Sequence, residues 1–172
     1  MSSTINGAAL ATPDFLALYA EKDMRLDKYF AAADEDGFRK SKKAGSNNFL
    51  CTFRVGEMYL TAAEAAARMD RLPQARARLL ALMQKRYAPE AYPVKAAAVN
   101  EMSKEALVKE ILDERARELA FEGHRWFDLR RTTRPRLEKV LGGKTYVLEE
   151  NDARYTLAIP KEALEANPGL LN

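Results

Sequence analysis

The stretch ERARELAFEGHRWFDLRR, residues 114–131, holds the densest set of groups able to do chemistry. Continued as one helix, it puts Val108, Leu112, Arg115, Leu119, Glu122, Trp126 and Leu129 on a single stripe. Arg115 and Glu122 are then charges on an apolar face, which leaves two uses for them. Paired carboxylates can pass protons to and from a substrate, as in glycoside hydrolysis; Glu114, Glu118 and Glu122 are the candidates. Alternatively, acids and arginines neutralise one another inside the protein and lock helix layers together, because a buried charge without a partner is strongly destabilising. The ion-pair network is the expectation, since carboxylates facing arginines stay ionised and make poor general acids.

A second helix supplies partners for such a network. Arg54, Glu57, Thr61, Glu64 and Arg68 recur at spacings of three and four and so share one helix face. The expected network is Arg54, Glu57, Glu64, Glu114, Arg115, Glu118, Glu122, Arg125, Asp128 and Arg131, with Arg115 and Glu122 mostly buried.

Other reactive types point to less. His124 has no serine or cysteine in a nucleophile motif beside it and reads as a helix-terminal histidine. Cys51, in the apolar run Phe49-Leu50-Cys51, reads as a small core residue. With one Cys and one His, neither an intramolecular disulfide nor a zinc site is expected, and no cofactor or catalytic residue is assigned. The basic run Arg130, Arg131, Arg134, Arg136 and Lys139 has no interleaved aromatics, so it reads as solvated or internally paired rather than as a nucleic-acid groove. Tyr87 and Tyr92 flank Pro89 in a segment without period, and exposed aromatics on such a loop can stack on sugar rings. They are the candidate binding residues.

The elements that must position these groups are mainly helical. Thr12-Pro13-Asp14 is a helix start. Asp36-Gly37 between YFAAADE and FRKSKK predicts a β-hairpin. The alanine-rich residues 54–69, the turn Asp70-Arg71-Leu72-Pro73 and a helix over about 74–87 resemble one tetratricopeptide-type hairpin. Residues 88–102 read as a mobile loop. Ser103 caps a long helix through about residue 122, with Gly123 breaking or bending it. Gly142-Gly143 is a turn, TYVLEE and RYTLAI are two short strands, and Pro160 opens a final helix ended by Asn167-Pro168-Gly169. The fold class is therefore mainly α, with a tetratricopeptide-like helical hairpin, a long helix and small β-hairpins.

The 172 residues, 47% hydrophobic and 31% charged, suit one domain over 1–172, with 1–12 a disordered lead-in. A net charge of +3 from 28 basic and 25 acidic side chains gives a mixed surface without a nucleic-acid footprint. No apolar run reaches the roughly 20 residues of a membrane-spanning helix. The start, MSSTINGAALATP, lacks the basic head and apolar stretch of a signal peptide.

Three stretches together resemble the SusD/RagB family. RVGEMYLTAAEAAARM is similar to its R-x-x-E-x-Y-L-x-x-A-E-A helix through Arg54, Glu57, Tyr59, Leu60, Ala63, Glu64 and Ala65. ILDERARELAFEGHRWFDLRR resembles its long signature through Ile111, Glu114, Arg115, Glu118, Leu119, Phe121, Glu122, Gly123, Arg125, Asp128, Leu129 and Arg131. LAIPKEALEANPGLLN is similar to its closing segment through Ile159, Pro160, Glu162, Asn167 and Pro168. EKDMRL echoes a D-x-R near a hairpin.

The resemblance implies a non-catalytic nutrient-binding lipoprotein on the outer face of the outer membrane. In full-length form it would be lipid-anchored and preceded by a signal peptide. Its implied partners are a SusC-like TonB-dependent transporter and an oligosaccharide or other nutrient, with no nucleic acid. A tetratricopeptide-like protein-interaction module without sugar binding is the alternative.

Overall fold

The computed structural model describes residues 2–5, 8–43, 54–167 and 169, with the backbone alone for 2–5, 8, 9 and 141. Cys51 lies outside the described residues. The chain forms two compact units, Met1–Arg125 and Trp126–Asn172, where a single domain was expected.

The first unit opens with strands β1 (Ser2–Ile5) and β2 (Ala8–Ala11), in place of the expected disordered lead-in. They pair antiparallel, with Ser2 opposite Ala11. Thr12 caps α1 (Pro13–Leu16) by accepting a hydrogen bond from the Phe15 amide at 3.3 Å. A short helix, α2 (Arg25–Tyr29), runs into the Asp-Gly hairpin, β3 (Phe30–Ala33) and β4 (Arg39–Ser41). Asp34 Oδ1 accepts from the amides of Asp36 and Phe38, and Gly37 adopts φ +81°, so the turn chemistry is what its residues predict. The antiparallel sheet order is β1-β2-β4-β3.

The helical layer follows. Helix α3 (Val55–Arg68) and helix α4 (Leu72–Met83) form the expected hairpin, turned at Asp70 with φ +60° and restarted by Pro73 in the first turn of α4. Helix α6 (Lys104–Glu118) begins at the Ser103 cap, whose hydroxyl accepts from the Ala106 amide. Leu60, Ala63, Ala67, Leu79, Met83, Leu107 and Ile111 close the core among these helices. Alanines at Ala63, Ala66, Ala67 and Ala75 let the α3 and α4 backbones approach closely.

Two expectations fail here. The segment after Tyr87 is not a loop, because Tyr92–Asn100 form helix α5 with Pro93 in its first turn. Proline suits that position, because the first helical turn has no backbone hydrogen bond for it to forfeit. The long helix also stops early. α6 ends at Glu118, and the chain turns through Phe121 at φ +62° and Gly123 at φ +84° before α7 (His124–Arg131). Leu119 and Glu122 thus leave the helical stripe assigned to them.

In the second unit, β5 (Leu137–Leu141) and β6 (Lys144–Leu148) pair antiparallel across Gly142-Gly143, with Lys139 opposite Tyr146. The first strand of this hairpin is therefore LEKVL, from the edge of the basic run. RYTLAI is not a strand. Asp152 accepts from the Arg154 amide and holds Ala153–Tyr155 in a 3₁₀ turn. Tyr155 is buried, stacks on Trp126 with ring centroids 5.2 Å apart, and donates its hydroxyl to the Pro135 carbonyl. Helix α8 (Lys161–Ala166) follows Pro160 as predicted.

Candidate functional site

The C-terminal half of α6 carries the charges, and other parts of the first unit bring their partners. Glu114 and Glu118 are fully buried one helical turn apart, so their carboxylates open on the same side. Between them sits Arg25, 1% exposed, at the start of α2. Its guanidinium donates to Glu114 Oε1 at 2.6 Å, to Glu114 Oε2 at 3.1 Å and to Glu118 Oε2 at 3.2 Å. On its other edge it forms a fork onto Asp23, at 2.9 Å to Oδ1 and 2.8 Å to Oδ2. Every face of this arginine is thus spent on a carboxylate. Burial alone would lower its basicity, but Glu114 and Asp23 reverse that and raise it.

Glu118 is the hub. Arg86, just beyond α4, donates to both its oxygens at 2.8 Å, and Arg54, the N-cap of α3, reaches Oε1 at 2.6 Å. Burial is the largest single influence on this carboxyl and works to raise its pKa. The hydrogen bonds and charge of Arg86, with the charges of Arg25 and Arg54, outweigh it and hold the group at about 2. Space for the carboxylate is left by Gly56, where an added Cβ would lie 2.9 Å from Glu118 Oε1. Arg54 continues to Glu122 Oε1 at 2.6 Å, and Lys43 joins the same oxygen while its ammonium lies 4.4 Å from the Tyr29 ring centroid. Burial lowers the Lys43 pKa, against the opposing pull of Glu122. Glu122 Oε2 is buried and has no hydrogen-bond donor among the described residues.

In the last turn of α6, Arg117 donates to Glu114 Oε2 at 2.8 Å and to Glu110, and its second arm meets the Leu18 carbonyl at 3.1 Å. Tyr19 returns a bond from its hydroxyl to the Arg117 carbonyl at 2.7 Å. The constellation sets Asp23, Glu110, Glu114, Glu118 and Glu122 against Arg25, Lys43, Arg54, Arg86 and Arg117, so its formal charge cancels. Such an arrangement can clamp segments together. A carboxylate held at about 2 does not carry a proton for general acid catalysis at neutral pH.

Arg54, Glu114, Glu118 and Glu122 are therefore brought together as the sequence suggests. Glu122 keeps only 1% of its side chain exposed, and Arg115 is 7% exposed and donates to Thr61 Oγ1 at 3.1 Å. Others of the expected network stand elsewhere. Glu57 meets His124 at 3.7 Å rather than an arginine, and Glu64 pairs with Arg68 one turn along α3. Asp128 pairs with Arg131 within α7, and Arg125 makes no ion pair among the described residues. In the basic run, Arg136 is paired with Glu138 and Glu149.

Tyr87 does not offer a ring to solvent. It is 2% exposed, with the Arg25 guanidinium 5.8 Å from its ring centroid, and burial raises its pKa to about 12. Tyr92 is half-buried against the helical core, its hydroxyl 3.4 Å from the Leu80 carbonyl. Sequence reasoning missed Arg25, Lys43, Arg86, Glu110 and Arg117. The one signal at hand was the Asp23-x-Arg25 pair, whose spacing allows the Arg25 amide and side chain both to bind one aspartate.

Among the described residues no group of His, Cys, Asp and Glu is placed to hold a metal ion, and no helix is long and apolar enough to cross a membrane. No curated protein matches the chain. The model of the SusD family matches residues 8–172, a span that takes in the Asp23-x-Arg25 pair, α3 and the whole of α6. The chain, with its ion-paired signature helix, belongs to the SusD family.

Proposed function

We propose that this protein is a non-catalytic nutrient-binding component of an outer-membrane uptake system, working with a SusC-like TonB-dependent transporter on an oligosaccharide or related nutrient. The family match across residues 8–172 carries this reading. The signature residues support it, because Glu114, Glu118 and Glu122 are spent on internal cations. They build a scaffold and leave recognition to surface groups. Of the two tyrosines first considered, Tyr87 is buried and Tyr92 is half-buried. In this reading the protein faces the cell exterior and is held there by a lipid.

The test has two arms. Isothermal titration of the protein with a panel of oligosaccharides should reveal saturable binding to at least one, without turnover of it. Affinity purification of the tagged natural protein from outer membranes should bring the transporter with it. Saturable binding together with hydrolysis would overturn the non-catalytic assignment. A preparation that recovers only a protein partner, and binds no member of the panel, would favour the interaction-module alternative carried by the α3–α4 hairpin.

A further inference from the structure

Between Asp70 and Glu90 the sequence holds no acid, yet it carries five cations, Arg71, Arg76, Arg78, Lys85 and Arg86. The fold divides them. Arg76 turns inward and donates to the Val99 and Met102 carbonyls at 3.3 and 2.7 Å, closing the end of α5. Arg86 is spent on Glu118. The other three belong to an outer stripe: Arg71, Gln74, Arg78, Ala81 and Lys85 recur at spacings of three, four, three and four, and all five are exposed. The stripe runs from the N-cap of α4 to the turn after it, about 21 Å, with a cation at every seventh residue, or about every 10.5 Å.

Among the described residues none of Arg71, Arg78 and Lys85 makes an ion pair. Asp70, the acid beside Arg71, is taken by Lys104 at 2.7 Å. Exposed helix cations elsewhere in the chain are steadied by acids one turn away, as Lys109 is by Asp113 and Lys161 by Glu165. Helix α4 has no acid to do this. Its central cation is held in another way, with the Arg78 guanidinium carbon 5.9 Å from the Tyr59 ring centroid. A guanidinium held by its face over a ring keeps its in-plane N–H groups for a planar oxyanion.

The rest of the stripe says what kind of anion fits. Among its described residues α4 exposes no large hydrophobic side chain, so it offers no knob to seat a partner helix. Between the cations stand the small Ala81 and the Gln74 amide, a donor and an acceptor for hydroxyl groups. A polar face with charges at regular intervals suits an extended chain of hydroxyl-rich units that carries acid groups at intervals of its own.

We propose that the Arg71, Arg78 and Lys85 stripe of α4 binds an anionic oligosaccharide bearing carboxylate or sulfate groups, with Arg78 as the central fork. This rests on the nutrient-binding reading of the protein and names the class of nutrient.

The probes are hexagalacturonate, which carries carboxylates alone, a dextran sulfate oligomer, which carries sulfates alone, and neutral maltohexaose, each titrated by calorimetry into the whole chain. One or both anionic probes should bind saturably and more weakly as salt is raised, and the one that binds identifies the acid group. Arg78→Gln should weaken that binding at least about tenfold. Arg71→Gln and Lys85→Gln should each weaken it severalfold. Arg78→Lys keeps the charge without the fork and should still lose part of the affinity. All three side chains lie in solvent, and circular dichroism checks that each variant keeps its fold. Arg134→Gln, which removes an exposed cation of the second unit, should leave binding unchanged. Unaltered binding by Arg78→Gln, or an equal loss in Arg134→Gln, would overturn the site. Hexaglutamate bound more tightly than either anionic sugar would assign the stripe to an acidic peptide instead. Maltohexaose bound with neither anionic probe would overturn this inference and leave the nutrient-binding reading standing. Binding of none of the three would overturn it too, and the wider oligosaccharide panel then decides the nutrient-binding reading separately.

Discussion

Two helix contacts in the first unit use opposite chemistry. Between α3 and α4 the contact is dry and apolar, with Leu60, Ala63, Ala67 and Leu79 each fully buried. Between the C-terminal half of α6 and the segments carrying Arg25, Arg54 and Arg86 it is almost wholly ionic. The apolar contact is tolerant: many residues of suitable size fill such a seam with modest loss. The ionic contact admits few substitutes, because removing any one charge strands another out of water. Stability alone does not favour the ionic solution, since well-packed apolar groups often do as well. What the ions add is registry. Arg25 fits only where Asp23, Glu114 and Glu118 converge.

The largest effect that breaks this contrast is expected from Arg25→Ala. It leaves Glu114 and Glu118 buried with fewer partners and should cost about 3–5 kcal/mol in urea unfolding. Leu79→Ala, in the apolar seam, should cost about 2–5 kcal/mol, with no dependence on pH between neutral and acid conditions. If Arg25→Ala proves near neutral while Leu79→Ala is severe, the ionic contact contributes little to holding the unit together.

Acid should separate the two contacts next. The Glu118 carboxyl has an ordinary value of 4.5 and is held at about 2 in the folded protein. Its folded pKa lies below its unfolded one, so its contribution is fully present above pH 4.5 and is lost as pH falls through about 2. That gap corresponds to about 3 kcal/mol. Urea melts at a series of pH values should show this slope, and Glu118→Gln should flatten it. A smaller loss, about 1–3 kcal/mol, is expected from Gly56→Ala, whose new methyl would crowd Glu118 Oε1. Ser103→Ala, outside both contacts, should cost about 1 kcal/mol through the lost cap of α6, seen as a small drop in melting temperature.

The comparison also marks what could be read in the sequence. The helical hairpin, the Asp-Gly turn and the caps at Thr12 and Ser103 are local, and local spacing announces them. Glu114 and Glu118 are legible for the same reason, since they fall one helical turn apart. Most of their partners are not. Periodicity tells which residues share a helix face, and nothing in it tells that Arg25 or Arg86 will arrive from elsewhere. Helix α5 was hidden because residues 88–102 hold Pro89 and Pro93 and show no clear period, although proline suits the first helical turn. The continuation of α6 past Glu118 was overread, because helical spacing carries on through Leu119, Glu122 and Trp126 while Phe121 takes a left-handed backbone that spacing does not reveal. RYTLAI alternates like a strand, yet the Asp152 side chain bends it into a turn by bonding to backbone.

The Arg25–Glu114 bond joins residues 89 apart, and the Tyr19–Arg117 bond spans 98. Such contacts close a large loop, at an entropic cost of about 4 kcal/mol beyond the constant part for the shorter of the two. The α3–α4 hairpin needs no such closure. The α3–α4 hairpin is therefore expected to form first on local contacts, while the Tyr19 and Arg25 side chains, though made earlier, gain their α6 partners only once α6 has been synthesised and packed. Burial of the Arg25 guanidinium is thus expected to be a late event in the life of each new molecule.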